Sequence, residues 1–542
     1  MYADKITGIL ESKGYTVQRG AFLYITPERC KLMPSCYANN PPSPYGVTLL
    51  PKSPREDTST YSNWGVTLSG NFNGTFMSAT YRLDETETVL MLGQTAPRSL
   101  YYAYIPYVFD RWYPKGWTSK STDWSRCADV TDPNGSRCRL FASLGNPTNM
   151  LNMNTSNEKG DSFNSEFAYF MGGDQNQIGE IQGLGIRAGI RKSTHNVFGL
   201  SKDRARLGLD RDSDGFMHLT RTAFVENKEE FNDFIYNPDK FITILRITPK
   251  IVLPRNRQTF PAPVFKQRIS DPESVPLKGL SHEKLTSILS NDMRFGIIEK
   301  YQNTHRYVYE FPIIPPIYRN GYDCMDQGMQ CNGDNQDTLY PNSRNSAPVN
   351  HFCMERLEKD CPITYRTTLQ EDGSDFFIIT GVNHNATERS LYSSISAYSQ
   401  DRLESLGGFD SLPIDVSSKS YWGSAKQYLQ NSDASDYFFA VKITRKCEKD
   451  EKYCLEIKKS GSNSLPLNQS CVFIERSYMD NMEAGPTNEA HVKPIVYHFS
   501  SKYSIGSGGD TINKLQLAKT SNQLVITLFT QIFVTFYVFR YF

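Results

Sequence analysis

The spacing of the cysteines constrains this 542-residue chain more than any other feature. Ten of the 11 fall into close couples: Cys30/Cys36, Cys127/Cys138, Cys324/Cys331, Cys353/Cys361 and Cys447/Cys454, with Cys471 left over. None is a C-x-x-C, and no histidine stands at zinc-finger spacing, so these thiols do not read as a zinc site. A turn signal, Asp132-Pro133-Asn134-Gly135, lies between Cys127 and Cys138. The solvated run Glu-Lys-Asp-Glu-Lys lies within Cys447 and Cys454, as at a hairpin tip. Local loops closed by disulfides fit this pattern, and they require an oxidising compartment. Unrelated buried thiols would not cluster in this way.

The two ends bear on where such a chain resides. Residues Leu524 to Phe542 read LVITLFTQIFVTFYVFRYF, and Ser507-Gly508-Gly509 with a polar spacer precede them. Small residues, spacer and terminal apolar tail follow the order of a glycolipid-anchor signal. Ser507 and Gly508 are then the expected attachment site, and a membrane the expected partner. A tail-anchoring helix and a buried terminal strand are the alternatives. Met1 to Lys13 is a short amphipathic stretch without the apolar core of a signal peptide, so export implies a start upstream of it. Together these features predict a protein of the secretory pathway that is held at the cell surface or secreted. The sequons at Asn73, Asn134, Asn154, Asn385 and Asn468 are candidate glycosylation sites, at about the frequency chance allows.

Charge excludes one class of partner. With 59 Lys and Arg against 58 Asp and Glu, the chain has no global field to gather nucleic acid. An aromatic content of 13% is too rich for a disordered chain, and the length calls for more than one core.

One pattern occurs twice. Thr80-Tyr81-Arg82, acidic residues, Val89-Leu90-Met91-Leu92, Gly93 and Arg98-Ser99-Leu100-Tyr101 follow one another in the first half. Thr364-Tyr365-Arg366, acidic residues, Phe376-Phe377-Ile378-Ile379, Gly381 and Arg389-Ser390-Leu391-Tyr392 repeat that order in the second. We expect an α+β, strand-rich fold of two lobes related by duplication, stapled by disulfides and joined by a Pro/Gly/Asn-rich connection. The expected organisation is an N-terminal extension (1–65), lobe 1 (66–310), the connection (311–350), lobe 2 (351–503), and a spacer with the tail (504–542). Phe167–Met171, Leu219–Val225 and Phe241–Ile247 read as strands and Lys228–Tyr236 as a helix. His282–Tyr301 reads as the clearest helix, with Ser281 as its N-cap.

Four patterns carry candidate chemistry. Asp210-Arg211-Asp212-Ser213-Asp214-Gly215 has the alternating carboxylates and glycine of a calcium loop, although Arg221 stands where an EF-hand places its bidentate Glu. An acidic turn before a strand accounts for it equally well. Asp334 and Asp337, beside Cys331, are turn formers that could also meet a cation. His384, on the turn after the second copy's apolar run, is a candidate general acid/base with Tyr365 and Arg366 beside it; a solvated turn histidine is the plainer reading. Arg82 and Arg366 have the chemistry to bind an anion between lobes or to pair with nearby acids. Two functions follow: a binding or structural protein that recognises carbohydrate or protein through aromatic surfaces, or an extracellular enzyme with an inter-lobe cleft.

Overall fold

The computed structural model describes residues 2–31, 33, 35–36, 39, 44–57, 68–117, 131–132, 135–158, 160–251, 257–305, 307–344, 350–353, 367–429, 432–461, 463–480 and 484–500. Among them strand outweighs helix, and the strands form four sheets.

In the first half, helix α1 (Tyr2–Ser12) leads to β1 (Tyr15–Arg19), β2 (Ala21–Tyr24), the short α2 (Pro27–Cys30) and β3 (Gly46–Pro51). The hairpin β4 (Ser69–Phe72) and β5 (Thr75–Ser78) precedes β6 (Thr88–Gln94) and the long β7 (Ser99–Pro114). Then come β8 (Thr131–Asp132), β9 (Gly135–Ser143), β10 (Thr148–Asn149), β11 (Glu166–Gly172), α3 (Gln175–Ala188), β12 (His195–Gly199), β13 (Gly215–Val225), α4 (Lys228–Tyr236) and β14 (Ile242–Pro249). The first sheet runs β1-β14-β6-β11-β12. The second runs β4-β5-β3-β13-β7-β9-β8, with β2 beside β3 and β10 beside β7.

The second half begins with α5 (His282–Ser287), a π-helical turn (Ile288–Met293) and α6 (Arg294–Tyr301). It continues through β15 (Tyr307–Pro312), α7 (Gly321–Gln327), β16 (Thr338–Leu339), β17 (Asn350–Cys353), β18 (Phe376–Val382), β19 (Ser393–Ser399) and β20 (Ser405–Asp410). The last strands are β21 (Phe438–Thr444), β22 (Cys454–Glu456), β23 (Cys471–Tyr478) and β24 (Ile495–Ser500). The third sheet is ordered β17-β15-β24-β18-β21-β22 and the fourth β16-β23-β19-β20. Neighbouring strands are antiparallel in all four, except for β11 with β12 and β21 with β22.

Side-chain alternation explains how the sheets stack. In β6, Leu90 and Leu92 pack with Ile6 and Leu10 of α1 and Ile181 and Leu184 of α3, while Val89 and Met91 face the second sheet. In β7, Tyr102 and Tyr104 turn toward the first sheet, whereas Tyr101, Ala103, Ile105 and Tyr107 join a core with Tyr478 of the fourth and Tyr392, just before β19. In β18, Phe376 and Ile378 pack with Leu285, Met293 and Ile297 of the α5–α6 segment. Phe377 of the same strand meets Phe473 of the fourth sheet at 4.9 Å between ring centroids. Strands buried on both faces read as unbroken apolar runs, which is why β6 and β18 stand out in the sequence.

Several expected elements appear at their expected places. α4 spans Lys228–Tyr236, and Ser281 caps α5 by accepting from Lys284 N at 3.2 Å. The helix expected over His282–Tyr301 is interrupted by its π turn. Within the expected extension, 1–65, β1 pairs with β14 and β3 with β13. Within the expected connection, 311–350, lie α7 and β16, and Cys324, Met325, Met329 and Cys331 enter the core between the first two sheets.

Disulfides join Cys30 to Cys36, Cys324 to Cys331 and Cys447 to Cys454. Cys127 and Cys361 lie outside the described residues, and with them the other two couples. Cys471 is a buried free thiol on β23, and burial pushes its pKa up to about 12, so it is inert as a nucleophile. No helix among the described residues is long and apolar enough to cross a membrane; Ser507, Gly508 and the tail lie outside them.

Candidate functional site

Two adjacent residues of β23, Glu475 and Arg476, point to opposite faces of the fourth sheet, and each belongs to a buried polar cluster.

Arg476 faces the seam between the second and fourth sheets. Arg221 of β13 enters the same seam from the other side; the two arginines are 1% and 2% exposed. The Arg221 guanidinium donates to the Tyr107 hydroxyl at 3.1 Å, to the Tyr340 hydroxyl and to the Gly333 carbonyl. It also lies 5.0 Å from the Tyr45 ring and 5.1 Å from the Tyr340 ring. Arg476 stands 5.2 Å from the Tyr398 ring and 6.0 Å from that of Tyr340, and it hydrogen-bonds the Tyr45 side chain. Burial alone would raise the pKa of Tyr45; the positive fields of Arg476 and Arg221 outweigh it and hold that hydroxyl below its ordinary value.

Beside the arginines lie Asp334, Asp337, Arg268 and Lys266. Asp334 accepts from Ser143 N at 2.7 Å and from the Ser143 hydroxyl, and burial raises its pKa against the pull of Arg268 and Arg221. Asp337 accepts from Tyr101 OH at 2.8 Å and Asn149 Nδ2 at 3.0 Å, and pairs with Lys266. The two aspartates that the sequence offered as cation ligands are therefore committed to hydroxyls, amides and cations of the seam.

Glu475 faces the other way, into the space between the fourth and third sheets. Its Oε1 lies 3.2 Å from His384 Nε2 and its Oε2 lies 2.7 Å from His491 Nε2. Glu273 Oε1 lies 2.7 Å from His384 Nδ1 and also accepts from the Thr387 hydroxyl. The two imidazoles stack with centroids 4.0 Å apart. All four side chains are buried, His384 completely. Burial would lower the pKa of His384, but Glu273 and Glu475 overcome it and raise it to about 10. Burial would raise Glu273, which the histidines instead hold at about 2; Glu475 is lowered in the same way. His491 is lowered, first by burial and then by the charge on His384.

His384 thus occupies a closed core position and not a solvated turn, and Tyr365 and Arg366 lie outside the described residues. Arg82 pairs with Glu56 at 3.4 Å. In the proposed calcium loop, Asp214 is fully buried and receives Arg111 Nε at 2.8 Å and Nη2 at 2.7 Å, while Asp210 and Asp212 face solvent. Among the candidate glycan sites, Asn73, Asn154 and Asn468 are exposed. Asn385 is half-buried and donates its amide to the Ser390 and Leu391 carbonyls, and Asn134 lies outside the described residues.

Sequence reasoning missed Arg221, Arg476, Glu273, Glu475 and His491. One signal for the arginines was present: Thr220-Arg221-Thr222 and Glu475-Arg476-Ser477 place an arginine within a strand pattern in each half.

No family model matches the chain, and no curated protein matches it. Among solved structures it is similar to the VPA0106 protein from Vibrio parahaemolyticus, at 11% identity and a TM-score of 0.32, over 81% of this chain and 90% of that one. A likeness this weak defines neither fold nor function.

Proposed function

We propose that this is an exported, disulfide-bonded binding protein made of two related halves, and that it recognises an anionic group, of phosphate, sulfate or carboxylate chemistry, at the arginine–tyrosine seam between them. The observation that carries the reading is the meeting of Arg221 and Arg476 in one buried seam, surrounded by tyrosines. Guanidinium forks suit the oxygens of such anions, and tyrosine hydroxyls add donors without adding charge. The binding role replaces the Arg82/Arg366 pair by two arginines that share a seam.

Strand register supports the relation between halves. Arg221 stands opposite Ala103, five residues on from Arg98, and Arg476 stands opposite Ser394, five residues on from Arg389. Tyr107 stands opposite Ser143 and Tyr398 opposite Ser405. Gly93 stands opposite Phe167 as Gly381 stands opposite Phe439, and an alanine follows each phenylalanine. The sheet orders β1-β14-β6-β11-β12 and β15-β24-β18-β21-β22 correspond strand for strand, each with its parallel pair in the same place. Export rests on the local disulfides. The alternative, an extracellular enzyme using His384 as general acid/base, draws on that residue's two carboxylate partners.

Calorimetric titration of the full chain with inorganic phosphate, sulfate and a sulfated oligosaccharide tests the seam. Saturable binding that Arg221→Met and Arg476→Met each abolish, while circular dichroism is unchanged, is the expected result. Binding that persists in both folded variants, or none with any of the three probes, overturns it.

A further inference from the structure

The cluster on the opposite face of β23 brings metal-ligating groups together. Glu475 uses one carboxylate oxygen for His384 Nε2 and the other for His491 Nε2. A single carboxylate thereby holds both rings by the same atom, and the rings stack at 4.0 Å with planes 30° apart. Holding both Nε2 atoms leaves both Nδ1 atoms on the far side of the rings. There Glu273 Oε1 waits, 2.7 Å from His384 Nδ1. Nδ1 of His491 is buried and has no hydrogen-bond partner among the described residues. One ligand atom from each of Glu273, His384 and His491 lies within 4.8 Å of the others. Glu273 is itself oriented by the Thr387 hydroxyl and by Val492 N at 3.4 Å.

We propose that Glu273, His384 and His491 bind a divalent transition cation, zinc above all, with Glu475 as the positioning residue behind both histidines. Two imidazoles and a carboxylate suit zinc, whereas calcium and magnesium take oxygen ligands almost alone. Tetrahedral zinc at about 2.0–2.1 Å from each ligand sets them roughly 3.3 Å apart, so His384 and Glu273 open by about 0.6 Å to admit it. A carboxylate on the outer nitrogen of each ligating histidine is the usual way such rings are held and made more basic. Binding displaces the proton shared by His384 and Glu273 and leaves both imidazoles neutral. The three protein ligands leave the fourth tetrahedral position to a water or to the second Glu273 oxygen, and the site ties the segment before α5, the turn after β18 and the segment before β24 to β23.

The test uses the full chain, purified without chelator and also refolded with Zn²⁺ or Co²⁺. Expected are about one zinc per chain by elemental mass spectrometry, and in the cobalt form the visible absorption bands of a low-coordinate site. His491→Ala and Glu273→Gln lose the stoichiometric metal. Glu475→Gln retains the site with affinity reduced by about 10–100-fold, because it acts through the histidines. Should His491→Ala fail to fold, the wild-type reconstitution still decides. A folded wild-type chain that takes up neither metal, and melts at the same temperature with and without zinc, overturns the proposal.

Discussion

Arg111 grips Asp214 with two parallel hydrogen bonds, Nε to Oδ1 at 2.8 Å and Nη2 to Oδ2 at 2.7 Å, across the join of β7 and the loop before β13. The Asp214 carboxylate also accepts from Arg206 N at 2.8 Å, so both its oxygens are occupied. The third carboxylate of a calcium-like motif is therefore an ion-pair partner in the core, and the glycine after it serves the strand. Removing one member of a buried pair leaves the other charge stranded, at about 3–5 kcal/mol. Arg111→Met is expected to cost that much in urea unfolding. Millimolar calcium is expected to leave the wild-type melting temperature unchanged; a rise of several degrees would restore the calcium reading.

The disulfides offer an internally controlled comparison. Cys324–Cys331 and Cys447–Cys454 have the same sequence separation of 7, so the loop-closure contribution, about 2.5 kcal/mol in the chain-entropy picture, is the same for both. Their surroundings differ. Cys324 and Cys331 are fully buried within the first-half core, whereas Cys447 and Cys454 flank a loop at the edge of the third sheet. The Cys324→Ser/Cys331→Ser variant should lose at least about 2 kcal/mol more than Cys447→Ser/Cys454→Ser, since it also puts two hydroxyls in an apolar site. Denaturant midpoints of the two variants measure the difference, and equal losses would mean that packing around the inner pair contributes nothing.

His218 gives a pH dependence of definite sign. It is buried on β13 between Tyr104 and Tyr169, with Nδ1 3.2 Å from the Thr48 hydroxyl, and burial lowers its pKa from 6.5 to about 3. Below pH 6.5 the unfolded chain takes up a proton that the folded chain refuses. The stability due to the neutral imidazole is thus complete above 6.5 and drains away as pH falls toward 3. At pH 4.5 the loss is about 2–3 kcal/mol from this residue. Guanidinium unfolding of wild type and His218→Gln at pH 7.5 and 4.5 should show a smaller fall in the variant, and parallel falls would exclude His218 as a source.

What could be read in the chain was what is local or periodic. α4 and the Ser281 cap follow from sequence because an apolar face and a capping hydroxyl are properties of neighbouring residues. The three observed disulfides follow because each closes a loop of a few residues. The clusters on β23 do not. Glu273 meets His384 across 111 positions and Glu475 meets His384 across 91, so no short window of sequence contains the site. The calcium motif shows the converse: its pattern is local, but the partner of Asp214 is Arg111, 103 residues away. β1 and β3 are not legible as members of their sheets because strands of five and six residues carry too little apolar periodicity to declare their partners.

The glycine that ends each copy of the repeated apolar run is open to a graded test. A β-carbon on Gly93 would lie 1.9 Å from the Phe241 carbonyl oxygen, a backbone atom fixed by the start of β14. On Gly381 it would meet ring carbons of Phe439 at 2.7 Å, and a ring can tilt. Both positions permit close approach of a neighbouring strand, but only the first has a rigid neighbour. Gly93→Ala must therefore part β6 from β14 and should cost more than about 3 kcal/mol, in the range of severe overpacking. Gly381→Ala should cost about 1–2 kcal/mol by the same mechanism, with Phe439 displaced. Thermal melts of the two variants rank them directly, and a Gly381→Ala variant as unstable as Gly93→Ala would show that Phe439 is held as firmly as the backbone.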